Sequence, residues 1–371
     1  MDELPRRIGD FLGVPVTELR QLGGQHGCRH VNGRLADGRS FFAKVALAPA
    51  APAAPAARVW TAEASASDEA SESDEASDPA VPAGAGAFSA EANGLRWLAA
   101  ADGGPRVPRV LGVTEGLLAI ELIEPLERAS PQAARRLGSE LASMHAAGAA
   151  SFGAPWPGWI ASLPLDNTPL DNSPLAGTPL AGTPDDSTAP ADSTAPADRE
   201  RGSATVDSAA GGAAAPGHSA GTDWGSWYAE RRLVPYLRRA YDGGVLARAD
   251  VSEVEVVISR IGQLAGPPER PSRIHGDLWP GNVLWAGGRG WLIDPAAHGG
   301  HRETDLAMLA LFGAPHLGEI LRGYVDTSPL ADGWRARVPL HQLHPLLVHV
   351  CLFGHSYAAQ LVSAAQAALA G

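Results

Sequence analysis

The chain has 371 residues, 45% of them hydrophobic, and a formal charge of −12: enough to bury a sizeable core in a two-lobed unit or two domains, and too acidic for nucleic acid to be an expected partner. Its two cysteines, Cys28 and Cys351, exclude a disulfide framework and a cysteine metal site, and residues 1–5 show no basic-then-apolar leader. With no apolar run read as long enough to span a bilayer, the expectation is a cytoplasmic protein without a membrane partner, a monomer or weak dimer.

In chain order, the first feature is Gly23-Gly24-Gln25-His26-Gly27, a glycine-rich turn whose backbone N–H groups are able to approach phosphates. It matches neither the Walker A loop nor the spaced dinucleotide-binding glycines. Residues 30–46 read as two strands joined at Asp37-Gly38, a strong hairpin dipeptide. Lys44 stands alone in the otherwise apolar run Phe41–Ala46. Residues 48–87 open with Ala/Pro repeats and continue as an acidic tract, with seven acidic residues and no Lys or Arg between Thr61 and Pro79. Such a stretch has little to bury and repels itself, so it reads as a disordered insertion.

Residues 88–101 then suit an amphipathic helix carrying Glu91, Leu95 and Leu98. Residues 107–123 suit two strands around Glu115-Gly116, ending in Glu121, Leu122 and Ile123. By position those three form a hinge whose backbone groups would meet adenine. Helices are predicted at 131–147, 224–241 and 251–264, short strands flank 274–293, and the chain from Glu303 onward reads as mostly helical. Between these, residues 164–222 carry near-repeats such as Pro164-Leu165-Asp166-Asn167-Thr168 and Pro169-Leu170-Asp171-Asn172-Ser173. Units that short lack the apolar face of a solenoid repeat, so this too reads as a disordered insertion. The predicted fold is α+β and bilobal, protein-kinase-like: a β-rich N-lobe with one main helix over 1–124, and an α-rich C-lobe over 125–371.

The decisive segment is Ile274-His275-Gly276-Asp277-Leu278-Trp279-Pro280-Gly281-Asn282, followed by the apolar run Trp291-Leu292-Ile293 and Asp294. Phosphoryl transfer needs a carboxylate to accept the acceptor hydroxyl's proton and further oxygen donors for the metal that screens the triphosphate. His275, Asp277, Leu278 and Asn282 have the spacing of a kinase catalytic loop, with Gly276 in place of Arg. Asp277 is accordingly the candidate base, and Asn282 and Asp294 the ligands of Mg2+, a hard cation that takes oxygen donors. Lys44 resembles the lysine that contacts the phosphates of ATP. Its expected partner is Glu91, with Glu63 a rival inside the acidic tract. His341, His344, His349 and His355 read as partly buried, hydrogen-bonded histidines rather than a metal cluster. Asp305 reads as a brace for the catalytic loop.

At this point the sequence resembles the fructosamine kinase family (ketosamine 3-kinases), within a kinase-like group that includes aminoglycoside phosphotransferases and choline kinases. The stretches that carry the resemblance are His275–Asn282, Asp294-Pro295-Ala296 with Gly300–Met308 and Leu311-Phe312-Gly313, and Pro329–Trp334 with Gln342-Leu343, Pro345-Leu346-Leu347, His349, Leu352-Phe353-Gly354 and Tyr357. The resemblance implies ATP-dependent phosphorylation of a ketosamine of fructosamine or ribulosamine type at its third-carbon hydroxyl. The phosphorylated adduct is unstable, so the implied role is deglycation, with a small-molecule or protein-bound ketosamine as partner. Trp279 and Trp334 are candidate sugar-stacking faces. The chain departs from the pattern at His301, where Asp often precedes Arg-Glu, and at Ala297-His298, where an aromatic residue often follows Pro-Ala. Two alternatives stay open here: a kinase for an aminoglycoside or choline-like alcohol, and an inactive kinase-like scaffold.

Overall fold

The computed structural model describes residues 3–25, 27–47, 86–124, 126–170 and 223–371. The N-lobe begins with two elements that the sequence reading did not resolve, helix α1 (Glu3–Leu12) and strand β1 (Val16–Gln25). Leu4, Ile8, Phe11 and Leu12 lie on one face of α1 and pack on the sheet. Strands β2 (Cys28–Leu35), β3 (Ser40–Ala46), β4 (Val110–Thr114) and β5 (Leu117–Glu121) complete an antiparallel sheet in the order β1-β2-β3-β5-β4. Helix α2 (Ala87–Ala99) joins β3 to β4.

Period-2 alternation splits this sheet between two small cores. Phe41, Ala43 and Val45 face α1, whereas Phe42 packs with Phe88, Ala92 and Leu95 of α2. Lys44 belongs to the α2 face by the same alternation, which is how an apolar strand delivers a single cation next to a helix.

The C-lobe contains α3 (Pro131–Ala146), the hairpin β6 (Gly158–Ile160) and β7 (Leu163–Leu165), α4 (Trp224–Tyr228), α5 (Val234–Asp242), α6 (Arg248–Ser259), α7 (Ile261–Leu264) and β8 (Ser272–Ile274). The hairpin β9 (Val283–Ala286) and β10 (Arg289–Leu292) follows, then β11 (His298–Gly300), α8 (Arg302–Leu311), α9 (Leu317–Thr327), α10 (Trp334–Phe353) and α11 (Ala358–Ala370). One core joins α3, α8 and α9; a larger one joins α4, α5, α6, α10 and α11.

Helices α3 and α9 cross with almost no gap. A Cβ on Gly138 would lie 1.9 Å from the Ile320 carbonyl oxygen, and one on Gly323 1.9 Å from that of Arg135. Backbone cannot yield cheaply there, so Gly138→Ala is expected to destabilise the protein by about 1–3 kcal/mol through overpacking. A fall in the urea midpoint at unchanged slope reads this directly; an unshifted midpoint would contradict it.

Two expectations need correction. The second insertion was placed from residue 164, but residues 164–170 are part of the C-lobe. Leu165 is buried in β7, Asn167 accepts from the buried Arg232 guanidinium at 2.6 Å, and Thr168's carbonyl accepts from Trp227 Nε1 at 3.2 Å. The rest of that segment (171–222), and residues 48–85 of the first insertion, lie outside the described residues, while Ala87, the first insertion's last residue, opens α2. Length and composition alone would also let Trp334–Ala370 span a membrane. In the fold this stretch is divided at Gly354 (φ 75°), and Leu340, Leu343, Leu346, Leu347 and Leu361 are buried in the C-lobe core.

Candidate active site

The catalytic loop hangs between β8 and β9, and its shape is set from behind by Asp305 near the start of α8. This carboxylate is fully buried and accepts from the backbone N–H of His275 (2.7 Å) and of Gly276 (3.0 Å). His145 Nε2 donates to it at 3.1 Å, while His145 Nδ1 accepts from the Tyr324 hydroxyl at 2.8 Å. Burial opposes Asp305's charge, but the hydrogen bonds from the His145 ring and the His275 N–H hold its pKa below the ordinary value.

His275 donates from Nε2 to the Ile293 carbonyl (2.9 Å) and accepts at Nδ1 from the Asp277 N–H (3.2 Å). That pattern requires the neutral ring, in keeping with a pKa lowered by burial. His275 thus ties the catalytic loop to the strand end that precedes Asp294. Gly276 has φ 79°, and a Cβ there would meet the Ala296 carbonyl oxygen at 2.3 Å, which explains glycine at this position.

Asn282 sits in a 3₁₀ turn (Pro280–Asn282) and is buried. Its Nδ2 donates to the Asp277 carbonyl (2.8 Å) and to Asp277 Oδ2 (3.1 Å). With the amide nitrogen committed to Asp277, the amide oxygen is the atom left for a cation. Asp294 has φ 53°, a left-handed conformation that costs a non-glycine residue about 1–3 kcal/mol and persists where its surroundings enforce it.

Lys44 reaches across from the N-lobe. Its Nζ donates to Asp294 Oδ1 at 2.9 Å and to Glu91 Oε2 at 2.8 Å. Of the two rival partners, Glu91 is therefore the one the fold delivers; Glu63 lies outside the described residues. Burial opposes the Lys44 charge, yet Asp294 and Glu91 outweigh it and raise the ammonium pKa. Burial likewise opposes Asp294's charge, and Lys44 overcomes it, holding the carboxyl below the ordinary range. One ammonium cannot fully serve two carboxylates: burial and the Asp294 charge push Glu91 up to about 7 despite Lys44. Among the described residues no cation contacts Asp277, and burial followed by repulsion from Asp294 lifts it to about 7 as well.

Lys44, Glu91, Asp277, Trp279, Asn282 and Asp294 all line one cavity of about 200 Å³ between the lobes. The Trp279 ring lies over Gly281, where a Cβ would meet it at 2.1 Å. Phe88, Trp156 and Trp159 form further walls. Sequence reading did not single out the last two; their signal is an aromatic pair flanking Pro157-Gly158 at the entry to a hairpin. Trp159 Nε1 is buried without a hydrogen-bond partner among the described residues, and Ala161 at the hairpin tip has φ 51°.

Other candidates stand farther off. Gly23 (φ 133°), Gly24 and Gly27 (φ 73°) form the end of the β1–β2 hairpin, and none of them lines the cavity; His26 lies outside the described residues. Burial raises the Cys28 thiol above its ordinary pKa, which disfavours the reactive thiolate. Glu121 ends β5, the Leu122 N–H donates to the Ser40 carbonyl at 3.5 Å and Ile123 is buried, and none of the three lines the cavity. Trp334 starts α10 with the Arg335 guanidinium 4.4 Å over its ring, also outside that wall.

His301, Glu303 and His341 bring three ligand atoms within 4.8 Å of one another, all buried. Arg337 already takes both Glu303 oxygens, at 2.6 and 2.9 Å. The carboxylate that a cation would need is occupied by a guanidinium, so the group is an ion-pair network closing α8 onto α10. His355 donates to the Val245 carbonyl (3.2 Å) but is exposed, and His344 Nε2 is buried without a hydrogen-bond partner among the described residues, so the expectation of partly buried, hydrogen-bonded histidines fails at these two.

A β-sheet lobe carrying a lysine–glutamate pair, over a helical lobe carrying the Asp277–Asn282 loop and Asp294, is a protein-kinase-like fold with its cleft residues assembled. The family model for fructosamine kinase matches residues 205–370. A solved structure described as a putative fructosamine-3-kinase from Thermobifida fusca is 40% identical, with all of both chains covered and a TM-score of 0.74. The protein belongs to the fructosamine kinase family.

A probable ketoamine kinase of Vibrio vulnificus is 37% identical over 137 residues, which is 37% of this chain and 46% of the relative's length, so this match spans about half of that relative. A thermostable aminoglycoside phosphotransferase mutant, solved in a ternary complex with ADP and hygromycin B, shares the fold at 14% identity and a TM-score of 0.54, with both chains fully covered.

Proposed function

We propose that this protein transfers the γ-phosphoryl group of ATP to the 3-hydroxyl of a ketosamine, a fructosamine or ribulosamine on a small amine or a protein. The observation that carries this reading is the convergence of Lys44, Asp294, Asn282 and Asp277 on one cleft between the lobes.

Asp277 is the base: Asn282 holds its Oδ2, and burial with the nearby Asp294 charge makes it more basic than an ordinary carboxylate. Lys44, pinned by Glu91, presents a fixed positive charge to the phosphates. Magnesium fits the donor set, because the Asn282 amide oxygen and the Asp294 carboxylate are hard oxygen ligands facing the same cleft. Bound there, the ion would screen the triphosphate charge. The β1–β2 turn with Gly23, Gly24 and Gly27 lies at the N-lobe end to cover phosphates, and residues 121–123 offer backbone groups to adenine. Trp279 is the proposed face for the sugar. The phosphorylated adduct would decompose, which supports a deglycating role in the cytoplasm, where ATP is available.

An acceptor panel tests the reading. ATP consumption with fructosamine and ribulosamine compounds, and none with kanamycin or choline, is expected; the reverse preference would overturn the substrate assignment. The pH profile gives a second test. Asp277 must be ionised to act as base, so kcat/KM rises with pH through its pKa of about 7 in the unliganded protein. A bound cation shifts that limb downward, so an acidic limb with its midpoint between about pH 5 and 7 is expected. A profile flat from pH 5 to 8 would contradict the role.

A further inference from the structure

Five aromatic rings form an unbroken line out of the cleft. It starts at Trp279, which lines the cavity two residues after Asp277 and is 43% exposed. Phe312, just after α8, meets the Trp279 ring with centroids 6.3 Å apart, and His349 of α10 meets Phe312 at 5.0 Å. His349 then touches Phe353 at 5.4 Å and Tyr357 at 4.9 Å, and Phe353 is 56% exposed. His349 Nδ1 donates to the Pro345 carbonyl at 2.7 Å, and burial lowers its pKa, so the ring is neutral and fixed. Single exposed apolar side chains need no explanation. Here two of the eight large exposed hydrophobics among the described residues are the ends of one connected aromatic surface that begins at the proposed base.

We infer that this surface is the subsite for the amine half of the acceptor, and that it selects ketosamines whose amine belongs to an apolar or aromatic peptide segment. This rests on the kinase reading above. A ketosamine has its phosphoryl-accepting hydroxyl two carbons from the carbon that bears the amine. With that hydroxyl at Asp277, the amine and whatever it is attached to must leave the cleft within a few ångströms. Trp279 borders that exit, and the rings beyond it continue as an uncharged line, His349 being neutral. Such a surface binds apolar and aromatic side chains, and its continuity with the cleft assigns it to the acceptor rather than to an unrelated partner.

Two tetrapeptides carrying fructose on an N-terminal glycine, Gly-Phe-Leu-Phe and Gly-Ser-Asn-Ser, test this, because four extended residues span about 13 Å. The unsubstituted protein should show higher kcat/KM on the aromatic peptide. Phe353→Ala should lower the ratio of kcat/KM between the two peptides about 3–10-fold, mainly through KM, with thermal unfolding unchanged. Equal kcat/KM on both peptides, or an unchanged ratio in Phe353→Ala, overturns the subsite. So does turnover of fructosyl-glycine with turnover of neither peptide. If the unsubstituted protein consumes ATP with none of the three, the kinase reading itself fails and takes the subsite with it.

Discussion

Replacing Asp277 by Asn lowers turnover about 10²–10⁴-fold, the contribution typical of a general base, while MgATP affinity changes little. The substitution keeps the shape and the backbone bonds of the loop and removes only the group able to accept a proton. It also separates catalysis from folding. Because Asp277's pKa is raised to about 7, its ionised form is disfavoured by the fold, and at pH above that value the charge is a cost. Asp277→Asn should therefore unfold at the same or a higher temperature than the parent at pH 8. A variant that loses turnover and stability together would point to a structural role, and one that keeps near-normal turnover would remove Asp277 from the chemistry.

The second large effect is at Asp305. Asp305→Ala leaves two buried N–H groups of the catalytic loop and the His145 ring without their acceptor. Breaking such a buried charge network costs about 3–5 kcal/mol, roughly 4–8 °C in Tm for a protein of this size. The folded pKa of Asp305 is depressed, so its contribution is full above the ordinary carboxylate value and is lost as pH falls through the folded pKa. The stability gap between parent and variant should accordingly be wide at pH 7 and narrow in acid. A gap independent of pH would mean that Asp305 acts through packing and not through its charge.

Much of this site was legible because the chemistry forces spacing. Asp277 and Asn282 are five residues apart on a short loop, and Asp294 ends the hairpin that returns to it, so local geometry alone brings them together. Lys44 was visible as one cation in an apolar strand. Glu91 was legible as the partner because its rival Glu63 lies in the acidic tract, and the packing of α2 beside β3 delivers it. The walls contributed by Trp156 and Trp159 depend on a hairpin whose place is set by the C-lobe core.

The expectation of disorder at residues 164–170 fails for a related reason. Pro-Leu-Asp-Asn-Thr looks like one of several equivalent repeats, yet this copy meets Arg232 and Trp227, over 50 residues downstream. Composition carries no information about such a partner. The first strand of the sheet was obscured in a similar way, since its glycine-rich end drew attention to a turn and away from the ladder that β1 makes with β2.

The most direct measurement is ³¹P NMR of the protein with ATP, magnesium and a synthetic fructosamine. A phosphomonoester resonance should grow as the γ-phosphate of ATP disappears, and should be lost with Asp277→Asn. ATP that stays intact with every ketosamine supplied, in protein shown to be folded, would contradict phosphoryl transfer at this cleft.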